Sequence, residues 1–191
     1  MDYIGTIYVS SGKIVASDPC YKLDNETVVF NALNGKYNAY IETSDEGGWG
    51  IRNKSLIIAH ESFNLNKFFK EFDVTFEQCP VDSGTFGFFD KNYFDEYHEC
   101  ELNEDWYQAN VVDQVNEDYF ITERNMGVWA TSGFGDGRYN VETLSDKDGN
   151  VYALKVIFIN EFYEDDDWDS DWEDDDWDDD DDDFEKGDWE Y

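Results

Sequence analysis

Four aspartates stand in turn-like contexts: Asp18 in SDPC, Asp82 in VDSG, Asp90 in FFDK and Asp136 in FGDG. Carboxylates brought together push one another's pKa values apart, which is how acid and base pairs arise. Gathered at sheet ends, these four are the candidate catalytic residues of a hydrolase or small-molecule site. Asp18, Asp82 and Asp136 are also candidate ligands for a divalent metal. The competing reading is ordinary turn chemistry, in which each carboxylate accepts hydrogen bonds from nearby backbone amides, and the local sequences favour it. Cys20 is a candidate nucleophile with His60 or His98 as its base. His60 follows an apolar run and His98 lies on a Tyr-rich segment, so a small buried cysteine is the favoured reading.

Two matches to known motifs fail on spacing. GFGDG at 133–137 lacks the spacing of a dinucleotide-binding glycine loop and falls between strands. DKDGN at 146–150 places its Gly too early for a calcium loop and has no closing Glu. Both read as hairpin turns, and no cofactor is expected.

The other chemistry-bearing stretch is EDDDWDSDWEDDDWDDDDDDFEKGDWEY, residues 164–191. It holds 19 of the 47 acidic residues and one of the 13 basic ones, so the formal charge of −34 divides into −18 here and −16 over residues 1–163. Like charges at that density, without aliphatic surface to bury, predict a disordered tail. Asp165, Asp166 and Asp167 would steer an encounter with a basic surface. Trp168, Trp172, Trp177, Phe184, Trp189 and Tyr191 would then anchor it, because aromatic rings carry much of the binding energy at interfaces. A tail that only solubilises gains nothing from such rings.

Nucleic acid is gripped by clustered Lys and Arg. Body and tail are both acidic, so direct nucleic-acid binding is not expected and a basic protein surface, such as that of a nucleic-acid-binding host protein, is. Cys20, Cys79 and Cys100 are odd in number and lack paired short spacing, which fits a reducing cytoplasm better than a disulfide framework. No stretch reaches the roughly 18 apolar residues of a membrane span, and the first residues lack a basic leader with an apolar run. A soluble, cytoplasmic protein is expected.

The elements that must position these residues are mainly strands. Short β-branched and aromatic runs broken by Gly, Asn and Asp predict one antiparallel-sheet domain over 1–163, with two or three short helices. Residues 3–17 read as a hairpin about SSG, residues 35–43 as a strand with Tyr37, Ala39 and Ile41 on one face, and residues 81–89 as a further strand. Residues 128–159 read as a three-stranded meander. Leu65, Phe68, Phe69 and Phe72 fall at helical spacing within residues 62–73. Residues 90–99 read as a helix capped by Asp90, and residues 103–115 as a third.

Four stretches, SGKIVASDPCY (11–21), GKYNAYI (35–41), VDSGTFGFFD (81–90) and GFGDGRYNVETLSDKDGNVYALKVIFI (133–159), resemble the bacterial and phage family called domain of unknown function 4241. The resemblance covers the body and not the tail. It implies a β-rich domain of microbial or phage origin and no particular chemistry. The function expected is therefore that of a non-catalytic acidic interaction protein, a nucleic-acid mimic acting as a phage anti-defence or immunity-type inhibitor. A small-molecule-binding or hydrolytic enzyme using the aspartates, and a phage structural or accessory protein with a solubilising tail, are the alternatives.

Overall fold

The computed structural model describes residues 1–21, 27–63, 73–98, 103–114 and 117–160. Among these residues the chain is mainly β, built as two antiparallel sheets. The first runs, in spatial order, β1 (Asp2–Val9), β4 (Gly35–Asp45), β5 (Ile51–His60), β11 (Val151–Ile157), β10 (Gly137–Ser145) and β6 (Asp73–Val81). The second runs β3 (Val28–Asn31), β2 (Lys13–Ser17), β7 (Thr85–Asp90), β9 (Gly127–Thr131) and β8 (Tyr119–Ile121).

The core lies between the sheets. Tyr37, Ala39 and Ile41 alternate inward from β4 as their period-two spacing requires, and meet Ile14, Phe86, Phe88 and Val128 from the second sheet. The opposite face of the second sheet is also covered. Val15, Phe89 and Trp129 pack there against α1 (Lys91–His98) and α2 (Asn103–Asn110) through Tyr93, Phe94 and Trp106. Burial on both faces explains why every residue of β7, TFGFFD, is buried and why it reads as a continuous apolar run. The Phe89 ring lies so close to Gly87 and Gly127 that a Cβ on either would approach it within 2.5 Å and 2.3 Å. Residues 64–72, which carry Leu65, Phe68, Phe69 and Phe72 of the proposed helix, and the tail over 164–191 lie outside the described residues; Asp73, the last residue of that proposed helix, opens β6.

Three expectations about connectivity change. β1 pairs with β4 whereas β2 pairs with β3 and β7, so residues 3–17 are not a hairpin. Residues 81–89 are not one strand, because β6 ends at Val81 in the first sheet and β7 starts at Thr85 in the second. The meander is reduced to the β10–β11 hairpin, since β9 belongs to the other sheet. In that hairpin the Asp146 carboxylate accepts the backbone N–H groups of Asp148 and Asn150, both at 2.9 Å, which is the turn expected of DKDGN.

The three departures share one cause. The three passages concerned, β1 to β2, β6 to β7 and β9 to β10, each run through a Ser-Gly pair, Ser11-Gly12, Ser83-Gly84 and Ser132-Gly133, with the glycines at φ 69°, 68° and 64°. That left-handed conformation is strained for residues with a Cβ. Here it turns the chain out of one sheet into the other, where the same local sequence would equally well close a hairpin.

Candidate functional site

Two of the four candidate aspartates are consumed in holding these corners. Asp18 is fully buried just beyond β2. Its Oδ2 accepts the backbone N–H of Asp82 at 2.9 Å and of Ser83 at 2.7 Å, and its Oδ1 accepts the Cys20 N–H at 2.8 Å and the Ser83 hydroxyl at 2.7 Å. Asp90, also fully buried, ends β7. Its Oδ2 accepts the N–H groups of Ser10 at 2.7 Å and Ser11 at 2.8 Å, and its Oδ1 accepts the Tyr93 N–H at 3.2 Å as the cap of α1. A buried carboxylate saturated by donors is well satisfied where it is. Neither is presented to solvent for acid–base chemistry.

Asp82 and Asp136 are exposed and flank the Val81–Gly137 pair that ends the β6–β10 ladder. The third corner binds them to the same end of the molecule: the Ser132 N–H donates to the Gly84 carbonyl at 2.9 Å, and the Tyr139 hydroxyl donates to the carbonyls of Ser132 at 2.8 Å and Gly135 at 2.6 Å. Among the described residues no group of three or more His, Cys, Asp or Glu side chains is placed to hold a metal ion.

Cys20 is exposed as a residue, yet its thiol is directed at the Asp18 carboxylate. Partial burial, the hydrogen bond to Asp18 and the negative charges of Asp18 and Asp82 push its pKa up to about 12. A nucleophilic cysteine needs the reverse environment. His60 is engaged elsewhere, with Nδ1 2.7 Å from the Ser62 hydroxyl and Nε2 3.2 Å from the Asn34 carbonyl oxygen. His98 ends α1.

Around Asp82 lies a cavity of about 490 Å³, between the end of β2 and the edge strand β6. Ala16, Cys79, Pro80 and Val81 supply apolar wall; Ser17, Tyr21, Asp82 and Arg138 supply polar groups. The Tyr21 hydroxyl has its pKa raised by burial and then by its hydrogen bond to Asp82 and that residue's charge. Arg138 and Tyr21 were not among the residues singled out in the sequence. The available signal was the Arg that follows GDG, one of only 13 basic residues in the chain.

A second feature is an exposed aromatic surface on the body. Trp49, Ile51 and Phe134 are 70%, 75% and 57% exposed, and the Trp49 and Phe134 rings meet edge to face at 6.4 Å. The N–H groups of Phe158 and Ile159 donate to the Lys54 carbonyl at 2.8 Å and 3.2 Å, and Ile159 lies against Gly133, next to Phe134. Asp45 ends β4, and Glu46 and Asp136 lie in the loops that carry Trp49 and Phe134.

Among the described residues no helix is long and apolar enough to cross a membrane. No curated protein and no solved structure matches the chain. Residues 7–156 match the family described as protein of unknown function (DUF4241), the body of the chain and not its acidic end. The chain belongs to the DUF4241 family.

Proposed function

We propose that this protein is a non-catalytic, acidic interaction protein that occupies a basic surface of another protein, with rows of carboxylates standing in for phosphates. The observation that carries this reading is the charge of −34, of which −18 lies in 28 residues also holding four tryptophans. Charge at that density steers encounter with a basic surface, and rings slow dissociation once contact is made. The exposed Trp49–Phe134 pair supports the same reading: it is an aromatic surface of the body with carboxylates nearby in the chain. Contiguous exposed apolar surface is a common feature of partner-binding sites.

A nucleic-acid-binding protein of the host is the partner class that the chemistry fits, and a phage anti-defence or immunity-type inhibitor is the corresponding role. A reducing cytoplasm suits Cys20 and Cys79, both thiols. The test is affinity capture with the full chain and with a chain lacking residues 164–191, at low salt and at about 1 M salt, where screening acts within about 3 Å. A basic partner should be retained by the full chain at low salt and lost on either change. Retention that ignores both salt and the deletion overturns the proposal.

A further inference from the structure

We infer that the cavity between β2 and the β6 edge is a binding site for a small zwitterion, an amino acid or a molecule of that size carrying one carboxylate and one ammonium group. The inference is independent of the acidic tail.

The first observation is Arg138. Lys91, Arg124 and Lys155 each hold a carboxylate, Asp95, Glu96 and Glu42 respectively. Arg138 sits on the rim of the cavity with no carboxylate in ion-pair distance among the described residues, although Asp82 and Asp136 flank the Val81–Gly137 pair that ends the same ladder. A guanidinium at a cavity with no carboxylate partner among the described residues is a donor fork open to an acceptor.

The second observation is Asp82. Its backbone N–H is spent on Asp18, but its carboxylate takes no part in the corner and lines the cavity beside the Tyr21 hydroxyl. The site therefore offers one cationic fork and one carboxylate, and the complementary ligand carries one of each. The field of a strongly acidic protein penalises a ligand of net negative charge and leaves a zwitterion nearly unaffected.

The third is the wall. Ala16, Cys79 and Val81 are buried and apolar, suiting an aliphatic side chain. Pro80 lacks an N–H on this edge strand, which removes a ladder bond that an added peptide strand would use there and favours a small molecule as occupant. A volume of about 490 Å³ falls within the range of roughly 300–1,000 Å³ typical of small-molecule sites.

Leucine, N-acetylleucine and leucinamide, titrated into the isotope-labelled full chain and followed by NMR, separate the possibilities. Leucine should shift the backbone amides of Ser83 and Gly137 and the Arg138 Nε–H saturably. N-acetylleucine and leucinamide, each lacking one charge, should bind there at least tenfold more weakly. The tail attracts the cationic probe, but its response appears on tail resonances and cannot be mistaken for the cavity. Arg138→Gln and Asp82→Asn, both exposed positions, should each weaken leucine at least tenfold while leaving the melting temperature in place. Arg138→Lys, which keeps the charge and loses the fork, should fall between. Absence of a saturable leucine response at these three groups, or a response unchanged in Arg138→Gln, overturns the site. N-acetylleucine binding as tightly as leucine overturns the zwitterion.

Discussion

Asp18 and Asp90 stand at opposite ends of the antiparallel β2–β7 pair, and each binds the corner that leads into the other's strand. Asp18, following β2, accepts from the N–H groups of residues 82 and 83 before β7; Asp90, closing β7, accepts from those of residues 10 and 11 before β2. Two strands of the second sheet are thereby locked to their crossings from the first by reciprocal, charge-assisted bonds.

Replacing either residue with Asn turns one oxygen into an N–H₂ group that faces donors. Hydrogen bonds to charged groups contribute about 1.5–3 kcal/mol each, and leaving buried donors unmet adds to the loss. Asp18→Asn and Asp90→Asn should each lower unfolding free energy by roughly 2–4 kcal/mol in urea denaturation. Asp82→Asn and Asp136→Asn, at exposed positions, should stay within about 0.5 kcal/mol. Equal shifts across all four variants would show that the buried pair does not hold the corners.

Much of this fold is legible in the sequence because periodicity reports burial. The alternation of Tyr37, Ala39 and Ile41, the Asp90 cap and the DKDGN turn are each local, and each is found. Sheet membership is not local. Ser-Gly with a positive-φ glycine serves a hairpin and a sheet-switching corner alike, and the decision rests on Asp18 and Asp90, distant in sequence from the corners they bind. The candidate site follows the same rule. Asp82 is visible as an isolated turn residue, but Arg138 gains meaning only when the β6–β10 register sets it opposite Pro80.

The acidic surroundings of Cys20 predict an inert thiol. With a pKa of about 12, the thiolate fraction at pH 8 is on the order of 10⁻⁴. In a Cys100→Ser background, where Cys79 is buried, iodoacetamide should label Cys20 in the folded protein at least about a hundredfold more slowly than after unfolding in urea. Comparable rates would mean that the thiol is not held beside Asp18.

Glu42 and Glu142 share Lys155 and should respond to substitution in opposite directions. Burial alone raises the Glu42 pKa, but the Ser55 hydroxyl, donating at 2.6 Å, and Lys155 Nζ at 3.1 Å outweigh it, so the net shift is downward. A carboxyl whose pKa is lower folded than unfolded stabilises the fold above its unfolded value, near about 4.3, and loses that contribution as pH falls through the folded value. Glu42→Gln should therefore cost on the order of 1 kcal/mol at pH 7 and nothing at pH values below both. Glu142 is raised by burial, only partly offset by Lys155, so its charged form is disfavoured in the fold. Glu142→Gln should leave the pH 7 midpoint unchanged or higher. Urea midpoints measured from pH 7 down to pH 3 check both signs, and parallel curves for the two variants would refute the assignment.

Charge and aromatic contact make separable contributions to partner binding, because association follows the long-range field and dissociation follows the contact made. Changing Trp168, Trp172, Trp177 and Trp189 to Ser leaves the charge of residues 164–191 at −18, and changing Trp49 and Phe134 to Ser leaves that of the body at −16. Neither set should alter the association rate with the captured basic partner much, since steering depends on charge. An anchoring ring in a well-packed pocket contributes about 2 kcal/mol or more, and its loss appears mainly as faster dissociation. The tail variant should therefore dissociate at least tenfold faster, and the Trp49/Phe134 variant should do so too if the body surface shares the contact. Both body residues are well exposed, so the folded state should survive their replacement, which near-ultraviolet circular dichroism can verify. Dissociation rates unchanged in both variants would leave the rings without a role in capture and reduce the interaction to electrostatics alone.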